Sequence, residues 1–97
     1  MELRHPRIEE HNGLWYLLGY RRGKQYLKKS ADRGQTWLEF ADGTTESLIG
    51  DSDDAAGDII KMTTQGSRIV VALPKDPEIH IYVSVDDGET WALESTV

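Results

Sequence analysis

The chain has no cysteine, comparatively few basic residues and no apolar run near the roughly 20 residues that a membrane-spanning helix needs. Without cysteine, neither a disulfide framework nor a thiolate metal site can add stability, so burial and hydrogen bonding must hold the fold. Against 17 Asp and Glu stand 11 Lys and Arg, a formal net charge of −6. A nonspecific binder of the phosphate backbone needs a basic surface, so nucleic acid is not an expected partner, and the short apolar runs make a membrane equally unexpected. The opening "MELRHPRIEE" lacks the apolar stretch of an intact secretory signal, which leaves the compartment undetermined. No segment of ten or more residues carries a 3.6-residue apolar stripe, so helices are not expected. Phosphate-cradling glycine loops and nucleophile elbows are missing, and His5, His11 and His80 lack metal-ligand spacing. No metal and no cofactor is expected.

What is present reads as strand and turn. "GLWYLLGY" and "SRIVVALP" are apolar runs rich in aromatic or β-branched residues, and "EIHIYVSV" alternates with period two. "KQYLKKS" is a more polar strand; "QTWLEF" and "ETWALES" read as further strands. Turn chemistry ("HNG", "RRGK", "DRG", "TQG", "PKDP", "DDG") separates these runs at hairpin spacing. Ninety-seven residues allow one small domain, so the expectation is a single all-β domain over 1–97, mostly antiparallel. Charge is uneven along it: residues 1–40 hold eight basic and five acidic side chains, residues 41–97 three and twelve.

The chain also repeats itself. "SADRGQTW" (Ser30 to Trp37) returns as "SVDDGETW" (Ser84 to Trp91), holding S-x-D-x-G-x-T-W. Tyr16-Leu17-Leu18 aligns with Ile69-Val70-Val71 at an offset of 53, and an extra residue in "PKDPE" moves the offset to 54 for the motif itself. Two units of four strands follow, residues 5–41 and 59–97, joined by the linker "DGTTESLIGDSDDAAGD" at 42–58. Four strands per repeated unit is the pattern of propeller blades.

The repeated motif resembles the Asp-box, or bacterial neuraminidase repeat, of sialidase-like β-propellers. Within the motif, Asp32 and Asp86 are placed to accept backbone N–H groups of their own turn, and Gly34 and Gly88 to take positive φ. Thr36, Thr90, Ser30 and Ser84 would tie the hairpin, while Trp37 and Trp91 would bury their rings against a neighbouring layer. These are structural roles. For enzymatic members the resemblance implies three arginines gripping a sugar carboxylate, the first in an Arg-Ile-Pro element, with a tyrosine-glutamate nucleophile and an acid/base aspartate. Here Arg7-Ile8 is followed by Glu9, no spacing selects partners among Arg4, Arg21, Arg22 and Arg68, and no Tyr-Glu pair is identifiable. No catalytic residue is assigned.

Two blades do not close a propeller, which takes roughly four to eight, yet "LWYLL" and "IVVAL" are written as if buried on both faces. The reading is therefore a noncatalytic, self-associating structural or recognition module, with chains joined head to tail as a trimer of six blades or a tetramer. A two-sheet sandwich and a fragment of a sialidase-like glycoside hydrolase are the alternatives. The basic first and acidic second portions suit such a contact. A glycan is the ligand class implied, with Arg7 and the "RRGK" cations Arg21, Arg22 and Lys24 as candidate anion contacts. Asp51, Asp53, Asp54 and Asp58 offer hard oxygens, but the spacing fails the EF-hand template and reads as an acidic linker.

Overall fold

A computed structural model describes residues 4–52 and 61–97, which form eight strands and, among the described residues, no helix. One sheet contains β1 (Arg4–His11), β2 (Leu14–Arg21), β3 (Lys24–Ser30) and β4 (Ser47–Asp51), in that order. The other contains β5 (Lys61–Gln65), β6 (Arg68–Lys75), β7 (Glu78–Ser84) and β8 (Ala92–Thr96), again in chain order. Every pairing is antiparallel. The fold is all-β with two four-stranded sheets, as the period-two runs and turn chemistry predict.

In the first sheet the hairpin turns are Asn12–Gly13 (φ 54° and 84°) and Arg22–Gly23 (53° and 82°). Paired left-handed residues give a two-residue turn whose twist matches its strands. The second sheet turns at Gly66–Ser67 and at Asp76–Pro77, the latter joined by a cis peptide bond.

Register corrects the repeat alignment. His11 pairs Leu14 as Gln65 pairs Arg68; Trp15 pairs Ser30 as Ile69 pairs Ser84; Arg21 pairs Lys24 as Lys75 pairs Glu78. The equivalence is thus 54 from β1 through β7, and Trp15, not Tyr16, corresponds to Ile69. Matching Gly13 to Gly66 caused the slip, because glycine stands second in one turn and first in the other. A slip of one residue exchanges the faces of a strand, so the correction decides which side chains meet.

The first sheet turns Tyr16, Leu18, Leu27 and Ile49 toward the second, which answers with Met62, Ile69, Val71 and Leu73 in one continuous core. Leu18, Leu27, Val71 and Leu73 are fully buried, each contributing about 1.5–3 kcal/mol. At Gly50 the sheets leave no room for a side chain, since an added Cβ would collide with the Tyr82 ring. The opposite faces have no covering layer among the described residues. On the first sheet that outer face carries Ile8, Trp15, Leu17, Tyr26 and Leu48, with Ile8 and Leu48 about half exposed at 54% and 48%. On the second it carries Val70, Ala72, Ile79, Ile81 and Val83.

The fourth strand of the first sheet differs from the sequence reading. "QTWLEF" makes one bond beside β3, Leu38 N–H to the Lys29 carbonyl at 2.8 Å, and then leaves the sheet. Phe40 drops into the core, a turn closes around Asp42 and Gly43, and the chain returns as β4. The first unit therefore extends past 41 to Asp51, inside the segment read as linker. Drawn at these boundaries the charge split shrinks: residues 4–52 hold eight basic and seven acidic side chains, residues 61–97 three and six.

Candidate functional site

Both S-x-D-x-G-x-T-W hairpins form the same hydrogen-bond net. Ser30 Oγ accepts the Gly34 N–H (2.8 Å) and the Asp32 N–H (3.3 Å) and donates to Asp32 Oδ1 (2.7 Å). Asp32 in turn accepts the Thr36 N–H (2.8 Å) and the Thr36 hydroxyl (2.5 Å). In the second hairpin Ser84, Asp86, Gly88 and Thr90 repeat every bond, at 2.6–3.4 Å. The threonine hydroxyls thus bond the aspartate rather than the facing strand. These donors, Thr above all and then Ser, hold both carboxyls down from 3.8 to about 2. Each tip is left-handed at two successive residues, Arg33–Gly34 (60° and 86°) and Asp87–Gly88 (61° and 90°). Glycine signals one of these positions, and the Asp-Gly pair marks Asp87 as the other; nothing in the sequence marks Arg33.

The surroundings of the two hairpins differ. Gly88 presses on the first sheet, where an added Cβ would come within 2.8 Å of Leu27. The Trp91 indole N–H donates to Ser47 Oγ (3.0 Å) and to the Gly88 carbonyl (3.1 Å), and Ser47 Oγ–H donates to that same carbonyl (2.5 Å). Lys29 Nζ reaches the Asp87 carbonyl at 2.8 Å, and Glu89 accepts the Ala41 N–H at 2.8 Å. At Gly34, by contrast, the atoms nearest an added Cβ belong to Trp15 and Trp37 and stand 3.7 Å or more away. The Trp37 ring lies beside Lys28 on the outer face, and its indole N–H finds no acceptor among the described residues.

At the other end of β3 the candidate cations are mostly engaged within the chain. Arg21 forms a two-pronged pair with Glu46 (2.6 and 3.2 Å) and stacks over Tyr26, and Lys24 pairs with Asp51 at 2.8 Å. Arg22 is exposed at the turn tip. Arg7 stands on the core-facing side of β1, 3.6 Å from Glu9, whereas Arg21 lies on the opposite face and Arg68 on the other sheet. The arginines do not converge on one point.

A cleft of about 640 Å³ opens between residues 40–48 and the second repeated hairpin, with Trp91 and Phe40 among four carboxylates. Each carboxylate is spent: Asp42 on Thr44, Glu46 on Arg21 and Lys28, Asp86 on Thr90, Glu89 on Ala41. Among the described residues no three carboxylates or imidazoles gather to hold a metal. Glycoside hydrolysis needs a carboxylic acid that keeps its proton, and each described carboxylate with a displaced pKa (Asp32, Asp42, Asp51, Asp86) is displaced downward by its hydrogen bonds. Of the calcium candidates, Asp51 is bound to Lys24, and Asp53, Asp54 and Asp58 lie outside the described residues. His80 sits on the face toward the first sheet, its Nε2 3.1 Å from Glu78. Comparison with known proteins finds no family model, no curated protein and no solved structure that matches the chain.

Proposed function

We propose that this chain is a noncatalytic Asp-box repeat module that associates with itself and acts as a structural or recognition unit. The observation that carries the reading is where polar chemistry is spent and where apolar surface is not. The Asp-box side chains satisfy one another, the cleft carboxylates are engaged, and the arginines stand apart. Two apolar sheet faces remain, and contiguous apolar surface of this kind marks an interaction site. The four-stranded repeat and its Asp-box resemblance supply the geometry for association: blades stack face to face into a ring, six blades from three chains. A glycan is the ligand class that the resemblance implies, with Arg22 at the exposed turn tip as its anion contact.

Light scattering on a sizing column tests this reading. The expected mass is three times that of one chain, with no hydrolysis of a fluorogenic sialoside at any protein concentration. A folded monomer would refute self-association. Sialoside hydrolysis lost on Arg7→Ala would refute the noncatalytic part and restore the sialidase-like reading.

A further inference from the structure

Within one chain, the contact between sheets joins unlike faces: the core-facing side of β1–β4 receives the Asp-box side of β5–β8. The faces left outside are the repeat counterparts of those two. Leu27, which receives Gly88, corresponds to Ile81 on the outer face of the second sheet, and Lys29 corresponds to Val83. Ser47 pairs Leu27, and Ser95 pairs Ile81, so Ser95 stands where a second Trp-accepting serine would be needed. On the inserting side, Trp37, Gly34 and Arg33 correspond to Trp91, Gly88 and Asp87.

We propose that the outer face of the second sheet receives the first Asp-box hairpin of another copy of this chain, in the head-to-tail relation that already joins the two sheets. This deepens the self-association reading and rests on it. Continuity with the internal interface identifies the partner, and the substitutions between the repeats are complementary in size. Inside the chain a long side chain, Lys29, reaches out from the receiving sheet to the backbone of the short Asp87. Between chains the long residue changes sides: the receiving position holds Val83 and the inserting tip holds Arg33. The receiving sheet is accordingly hollow there, with a groove of about 210 Å³ bordered by Val83, Val85, Trp91 and Ala92, with Glu94 and Arg68 as its charged residues. Arg33 fills that space with its guanidinium on the Glu94 side of the groove, so that the contact is attractive only in the orientation that keeps it away from Arg68. Trp37, whose indole N–H has no acceptor among the described residues, donates to Ser95 as Trp91 donates to Ser47. Because the contact is heterologous, it generates a ring once the rotation closes.

The absence of cysteine makes the test clean. Arg33→Cys and Glu94→Cys chains, refolded together, should be joined by a short bismaleimide, while either chain refolded alone should not. Ile81→Arg should reduce the solution mass to that of one chain with its strand circular dichroism kept. If the native chain is oligomeric but either cysteine variant cross-links alone, or Ile81→Arg leaves the mass unchanged, the docking surface is wrong and self-association survives. A folded native monomer, or a monomer that binds hydrophobic dyes as an unfinished propeller would, overturns both.

Discussion

The two S-x-D-x-G-x-T-W hairpins are the same object in different surroundings. Each has the same five bonds among its Ser, Asp, Gly and Thr residues, the same pair of left-handed residues and the same depressed carboxyl. One presses into a second sheet through Gly88, Asp87 and Trp91; the other rests on its own strands beside Lys28 and Trp15. Formation of the hairpin therefore does not depend on packing. Local hydrogen bonding makes the loop, and the packing it then offers is a separate property, used once within the chain.

The comparison breaks most sharply at the glycines. Gly88→Ala adds a Cβ in a left-handed conformation, about 1–2 kcal/mol, and drives it into Leu27, about 1–3 kcal/mol more. Gly34→Ala meets only the first cost, since its nearest neighbours stand at 3.7 Å. Denaturant unfolding should show Gly88→Ala as clearly the worse of the two; equal losses would deny that the second hairpin is seated and the first is not. Next come the tryptophans. Trp91→Ala should lose about 3 kcal/mol, the lower end for a large aromatic because the ring is half-buried. Trp37→Ala should lose about 1 kcal/mol or less in a dilute, dissociated sample, its larger effect being a lower solution mass.

The carboxylates should show no such difference. Asp32 and Asp86 titrate at about 2 in the folded chain and near 3.8 unfolded. Their stabilisation is thus complete above pH 3.8 and fades as pH falls toward 2. Asp32→Asn and Asp86→Asn should each remove a similar share of the acid-induced loss in thermal midpoint. A marked inequality would mean that the two nets are not equivalent. Smallest is the surface pair Lys24–Asp51, about half exposed on both sides at 45% and 58%; Asp51→Asn should change stability by about 0.5 kcal/mol or less.

Much of this was legible in the sequence, for local reasons. Period-two runs and Gly-bearing turns specify strands within a few residues of themselves, and S-x-D-x-G-x-T-W is a self-contained hydrogen-bonding unit. What was not legible depended on distant partners. β4 was hidden because Phe40, three residues past the end of the first motif at Trp37, finds its place from core volume rather than from pattern, and "SLIGD" is short and bordered by acidic residues.

 This is a matter of where the chain must go: the excursion through residues 39–46 carries Phe40 into the core and covers the second hairpin before β4 can pair. The register of β2 against β6 was lost for a similar reason, since only strand pairing, not glycine identity, fixes which turn residue corresponds to which. The candidate cations looked available because their partners, Glu46 and Asp51, lay in a segment read as linker.

The most direct measurement follows the indole N–H signals of Trp37 and Trp91 by nitrogen-edited NMR while the protein is diluted. Trp91 should stay protected from solvent exchange at every concentration, through Ser47 and the Gly88 carbonyl, whereas Trp37 should be protected when concentrated and lose protection on dilution. A Trp37 indole that exchanges freely in a sample shown to be oligomeric, or one that matches Trp91 in a dilute monomer, would contradict this.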